Sequence, residues 1–314
     1  MKIALLHSEE LNSRGEFFSN FYNAIEVGLQ SADLTRMSIE QWGRNSTSVQ
    51  FEIACIIGSH KRGTNRGALS SKVIEHQSKN NRKCLIMERG FIGDREKYWS
   101  MGFGGLNGRG DFNNNKMPSD RFDKLNIKLS KYLNTEKDVL FSLQLPWDSS
   151  VNHVWYPEVV YNSVKTILDT TNRSIILRHH PRYKEELWAG QNQWEYRPRL
   201  ALSLNKTIKE LCKNPRVKIS KTQHLKEDLR KCHCLVTFNS NSAVEAIIEG
   251  VPSIVLDEGS MIYDVSHNSL FEIDTLHPAT TFGFRKQKLY DIAYSQWNNN
   301  EIKKGLPFRH LGLI

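Results

Sequence analysis

No apolar run in this 314-residue sequence reaches the roughly 18–20 residues needed to cross a bilayer. The first residues, "MKIALLHSEE", turn polar too early for a secretory signal and read as a strand. Cysteine is scarce, five in all, which argues against a disulfide framework. "KCHC" (Lys231 to Cys234) has one His and no second Cys pair, so the spacing is poor for zinc. No GxGxxG fingerprint opens a helix and no DxD-like metal motif occurs. From these absences the expected protein is cytoplasmic and has no metal site.

Hydrophobic residues make up 39% and charged residues 25%, so the chain has material for a folded core. Lys and Arg number 43 against 34 Asp and Glu, a formal charge of +9. That excess suits an anionic partner: nucleic acid, an anionic membrane surface or a phosphorylated ligand. Solubility alone would also account for it.

Short apolar runs alternate with amphipathic stretches, the pattern of an α/β protein. "KIALLH", "FEIACIIGS" and "KCLIMERG" read as strands of a first half. "DVLFSLQ", "SIILRHHP", "RVKIS", "CLVTFN" and "PSIVLD" read as five strands of a second. Helical spacing in "EFFSNFYNAIEVGLQ" and "YPEVVYNSVKTILDT", the latter with Pro157 near its start, fills gaps between them. The polar break "LNTEKD" suggests domains at 1–136 and 137–314, with the last helix crossing back. Parallel strands with helical crossovers predict two Rossmann-like domains whose sheets face a cleft.

In such sheets ligands bind beyond the carboxyl ends of the strands. Four polar segments lie there. "SLQLPWDSS" offers Gln144, Asp148, Ser149 and Ser150 to a sugar or phosphate, or equally as an N-cap. "ILRHHPR" crowds Arg178, His179, His180 and Arg182 at a strand end, as a phosphate site would. In "FNSNSAVEAIIEG", Asn239, Ser240, Asn241 and Ser242 precede a helix, and Ser242 to Glu245 has capping-box spacing. That start is expected to cap the helix and to floor an anion site. The fourth is "ERGFIGDREKYWSMGFGGLNGRGDF", with seven glycines in Gly90–Gly110, expected to be one long functional loop.

Taken in order, these pieces resemble the capsule-polysaccharide-synthesis glycosyltransferases, the group that includes the Kdo transferases. The likeness rests on E-x-G-F (Glu88, Gly90, Phe91), Q…D-x-S (Gln144, Asp148, Ser150), HP (His180, Pro181) and S…E-A…G-x-P. The last comprises Ser240 or Ser242, Glu245, Ala246, Gly250 and Pro252. The motifs are short and span about half the chain, Glu88 to Pro252. The resemblance implies a GT-B fold, a nucleotide sugar as co-substrate and no cofactor or metal. His180 and the Ser240/Ser242 helix start would then hold the donor phosphate, and Glu245 the ribose or sugar. Arg89 stands where members of the group have an Asp, which leaves Glu88 and Asp94 as the nearby acids for base or oxocarbenium stabiliser.

The Gly-rich segment also resembles loops of small phage-encoded glycosyltransferases. On that likeness the expected acceptor is a hydroxymethylated pyrimidine in DNA, held by Arg62, Arg89, Arg95, Tyr98, Trp99, Asn107 and Arg109. The alternative acceptor is a surface glycan or glycolipid. A sugar-nucleotide epimerase and a non-catalytic DNA-binding protein are rival readings. Oligomeric state is not encoded in any of these features.

Overall fold

The computed structural model describes residues 1–7, 16–45, 50–57, 65–132, 137–151, 153–183, 196–276 and 278–314. Residue 136, where the sequence suggests a domain boundary, lies outside them, as does Arg62. The chain forms two compact units, Met1–Leu125 with Tyr290–Ile314, and Asn126–Leu289.

The first unit contains β1 (Lys2–His7), α1 (Glu16–Gly28), β2 (Asp33–Ser38), α2 (Ile39–Asn45), β3 (Ile53–Ile57), α3 (Asn65–Lys79), β4 (Lys83–Arg89), β5 (Tyr98–Phe103) and α4 (Asp120–Lys124). Its sheet runs β11-β5-β4-β3-β1-β2, where β11 (Gln296–Asn298) returns from near the end of the chain. Strands β1 to β4 are parallel, while β5 is antiparallel to β4. Alternate side chains of the central strands enter different cores. Ile3, Leu5, Ile53, Cys55, Leu85 and Met87 pack with Phe21, Tyr22 and Ile25 of α1. Ala4, Leu6, Ala54, Ile56, Cys84 and Ile86 pack with Trp42 and Val73 of the other helical layer. Both sheet faces are thus covered, which is why these strands are continuously apolar rather than alternating.

The Gly-rich segment is not a loop. Its middle is β5, which pairs Arg89 with Trp99 and Met87 with Met101 across the β4–β5 ladder. The glycines meet packing needs there: a Cβ on Gly102 would lie 2.6 Å from the Phe112 ring, and one on Gly90 2.8 Å from Cβ of Tyr98. Loop chemistry in the sequence concealed a strand because β5 gains its partners from both sides of the sheet.

The second unit contains β6 (Asp138–Ser142), α5 (Tyr156–Thr170), β7 (Ile175–Arg178), α6 (Tyr196–Leu211), β8 (Val217–Ile219), α7 (Leu225–Leu229), β9 (Cys232–Thr237), α8 (Ser242–Ile248), β10 (Ser253–Val255) and α9 (Pro278–Ala293), whose end belongs to the first unit. Its five strands are all parallel, in the order β10-β9-β6-β7-β8. Val139, Phe141, Ile175, Leu177 and Val236 form a core with Val160, Val164 and Ile167 of α5 and Leu204 and Ile208 of α6. The chain ends with β11 (Gln296–Asn298), α10 (Asn299–Lys303) and α11 (Leu306–His310), all in the first unit. Among the described residues, no helix is long and apolar enough to cross a membrane.

Candidate functional site

In the second sheet the chain runs outward from β6 through β7 to β8, then restarts with β9 on the other flank of β6. The boundary between β6 and β9 is the topological switch point, the position at which doubly wound sheets bind ligands. The register aligns Ser142 with Thr237, and Thr237 with Val255. Two residues on, by the period of two, stand Gln144, Asn239 and Asp257.

Hydrogen bonds tie these three together. Gln144 Nε2 donates to Asn239 Oδ1 at 2.8 Å, and the Asn239 backbone N–H donates to Gln144 Oε1 at 2.9 Å. Asn239 Nδ2 donates to Asp257 Oδ1 at 2.7 Å and to the Ser150 carbonyl at 2.9 Å. Gln144 Nε2 also reaches Ser150 Oγ at 3.2 Å, and that hydroxyl donates to Asp148 Oδ1 at 2.8 Å. The buried Tyr156 hydroxyl accepts from the Gln144 backbone N–H at 2.8 Å, and burial pushes its pKa up. Ser149 is buried in the same turn. Such a network is stable only when every member is satisfied, so it holds the strand ends in one geometry.

One arm of the network reaches solvent. His153 Nε2 lies 3.0 Å from Asp257 Oδ2, with the His side chain 45% exposed and the Asp 10%. Asp257 Oδ1 accepts a further bond from the Gly259 N–H at 2.9 Å. Neither His153 nor Asp257 stands out in the sequence. Asp257 ends "PSIVLD" and matches the other two positions only once strand order and register are known.

The neighbouring strand end is different. Arg178, expected to bind a donor phosphate, is buried and engaged within the chain. Its guanidinium donates to Asp228 Oδ2 at 2.6 Å, to Thr222 Oγ1 at 2.8 Å and to the Gln223 carbonyl at 2.8 Å. It clamps β7 to the turn before α7, and Asp228 neutralises it. His180 and Arg182 follow in an exposed turn, where His180 Nδ1 accepts from the Arg182 N–H at 3.2 Å.

The helix start after β9 also departs from expectation. Asn241 is the N-cap of α8, without a side-chain capping bond, and Ser242 is already the first helical residue. Glu245 therefore falls one place beyond the box position, and the Ser242–Glu245 capping box does not form. Ser240 Oγ accepts from the Ser242 N–H at 3.2 Å, and the Ala243 and Val244 N–H groups bond the Ser240 and Asn241 carbonyls. These donors are engaged within the chain, so they do not floor an anion site. The helix has 7 residues.

In the first unit, Trp99 cannot stack on a base. It is 2% exposed and stacks on Phe21 at 3.7 Å between ring centroids. Arg89 lies over the Phe17 ring at 3.9 Å and pairs with Glu96 Oε2 at 3.2 Å, so it belongs to an aromatic cage. Arg95 Nε donates to the Gly90 carbonyl at 2.7 Å. Asp94 is exposed and sits 3.0 Å from Lys97 Nζ. Glu88, half-buried at the end of β4, faces Ser100 in register. Tyr98 opens β5, and Asn107 and Arg109 share a 3-10 turn in which Asn107 has a left-handed φ of 49°. Among the described residues, no group of three or more His, Cys, Asp or Glu side chains could hold a metal ion.

The "Thermosulfurimonas dismutans KpsC, beta Kdo 2,4 transferase" matches at TM-score 0.50 and 12% identity, over 98% of this chain and 98% of that one. The fold is GT-B-like. The "beta Kdo 2,7 transferase" of the same organism's KpsC follows at TM-score 0.45 and 10% identity, over 98% of this chain and 100% of that one. A Methanocaldococcus jannaschii UDP-GlcNAc 2-epimerase, in complex with UDP-GlcNAc and UDP, is at TM-score 0.33 and 13% identity, over 85% and 88% of the two chains. No family model and no curated protein sequence matches. The two Rossmann-like domains of the GT-B-like fold correspond to the two sheets, and the Gln144–Asn239–Asp257 row belongs to the second.

Proposed function

We propose that this protein transfers a sugar from a nucleotide sugar to a glycan or glycolipid acceptor. The observation that carries the reading is the in-register row Gln144, Asn239 and Asp257 at the switch point of the second sheet. The fold-level likeness to a Kdo transferase supports it. In this reading the row and Ser150 shape the donor site, and His180 and Arg182 supply polar contacts to the phosphate from the next strand end. Arg178 and Arg89 hold structure rather than substrate. The DNA acceptor loses one of its two aromatic residues with the burial of Trp99, and nothing in the comparisons points to DNA.

The test is a panel of nucleotide sugars, Kdo donors among them, screened by thermal shift. Binders are then incubated with glycolipid acceptors and, separately, with hydroxymethylated DNA, and products are weighed by mass spectrometry. Sugar-sized mass gain on the glycolipid supports the proposal. Gain on DNA alone would reinstate the nucleic-acid reading. Conversion of a free nucleotide sugar without any acceptor would replace transfer by isomerisation.

A further inference from the structure

The network at the switch point has a solvent-facing member that the sugar-transfer reading leaves without a task. His153 is 45% exposed, while Gln144, Ser150 and Asn239 behind it are buried. A carboxylate can only accept, so the bond to Asp257 Oδ2 places the ring hydrogen on Nε2. In the neutral ring that leaves the lone pair on Nδ1. Asp257 is itself fixed by Asn239 Nδ2 at 2.7 Å and the Gly259 N–H at 2.9 Å, so the imidazole is aimed by a buried chain of bonds. Trp155, 51% exposed, lies two residues further along the same loop and offers an apolar face.

We propose that His153, oriented by Asp257, is the general base of the reaction and works through Nδ1. The proposal rests on the sugar-transfer reading. The acceptor hydroxyl attacks the anomeric carbon of the bound sugar. The new C–O bond forms as the bond from that carbon to the phosphate oxygen breaks, and its electron pair leaves with the nucleotide. The hydroxyl proton moves to Nδ1, and the imidazolium later releases it to solvent. The Asp257 carboxylate 3.0 Å from the ring holds its orientation and disfavours a phosphate beside it. That asymmetry selects a base over a phosphate ligand. Asp257 is the positioning residue.

The geometry makes an unusual variant informative. In Asp257→Asn, the Oδ1 side still faces the two donors Asn239 Nδ2 and Gly259 N–H, so the amide oxygen belongs there. The amide NH2 then takes the Oδ2 position and donates to Nε2, forcing the ring hydrogen to Nδ1. Long-range 1H–15N spectra of the imidazoles, assigned with His153→Gln, read the tautomer directly. The expected result is Nε2–H in the wild type and Nδ1–H in Asp257→Asn. A wild-type Nδ1–H tautomer, or one unmoved by the substitution, overturns the dyad.

The same variants are assayed for nucleotide release from each nucleotide sugar that binds, with water replacing the acceptor. His153→Gln is expected to release nucleotide about 100-fold more slowly at unchanged nucleotide affinity, and Asp257→Asn to slow release as well. Equal release by wild type and His153→Gln overturns the base while leaving sugar transfer standing. Absence of binding by every nucleotide sugar overturns the sugar-transfer reading, and the base with it.

Discussion

At the scale of single residues, Asn239 carries the most. It is 2% exposed, and its side chain links Gln144, Ser150 and Asp257. Asn239→Ala removes three buried hydrogen bonds and strands their partners, so it should cost about 3 kcal/mol in urea denaturation, at about 1 kcal/mol per bond. A cost below about 1 kcal/mol would mean that the network relaxes around the gap. Gln144, Ser150 and Asn239 could be picked from the sequence because amides and hydroxyls directly after apolar runs are unusual. Their mutual pairing could not, since Gln144 and Asn239 are 95 residues apart.

His310 gives a pH dependence. Burial, reinforced by the nearby Arg121 charge, holds its pKa below the ordinary 6.5, although its bond to the Phe112 carbonyl works the other way. The unfolded chain then binds the proton more readily than the folded one. The stability tied to this depressed pKa is present above 6.5 and is lost as pH falls. Denaturation midpoints measured from pH 7.5 down to pH 5 should fall less steeply in His310→Gln than in the wild type. Parallel slopes would remove His310 as a cause.

At the scale of elements, helix α1 meets α10 through Gly28. A Cβ there would lie 2.1 Å from the Ile302 carbonyl oxygen and 2.8 Å from the Phe308 ring. The backbone atom cannot swing aside as a side chain would. Gly28→Val should therefore separate the helices and cost about 3 kcal/mol, read as a lowered Tm. An unchanged Tm would show that α10 can slide without loss. Gly250 has a different constraint: φ is +79° after α8, and a Cβ would lie 2.1 Å from the Lys131 carbonyl oxygen. Its position after a helix and before Pro252 is visible in the sequence. The close approach at Gly28 is not, because α10 lies far along the chain. The same limit hid β5, whose ladder partners are β4 and β11.

At the scale of the whole molecule, the last residues complete the first unit rather than trailing from it. Gln296 is fully buried, and its side chain accepts from the Phe91 and Ile92 N–H groups at 2.6 and 3.1 Å. Arg121 donates to Glu301 and to the Gln296 carbonyl, both at 2.7 Å. Phe308 is 0% exposed. A chain ending at Ser295 should lose hydrogen-exchange protection in β1 and β3 while β6 and β9 keep theirs, since the second unit has its own core. Equal protection in all four strands of the truncated chain would mean that β11 is dispensable.

What the sequence by itself determined is the α/β alternation, the five strands of the second sheet and the strand ends at which polar residues collect. These are local properties: apolar runs, helical spacing and stop residues act over a few positions. Only the tertiary structure decided which polar residues meet. Strand order put β9 beside β6, and register then brought Asp257 level with Gln144 and Asn239. It also turned Arg178 and Trp99 inward, one onto Asp228 and the other onto Phe21. Whether an arginine or an indole faces ligand or core depends on what packs against it from distant segments, and no short stretch of chain carries that.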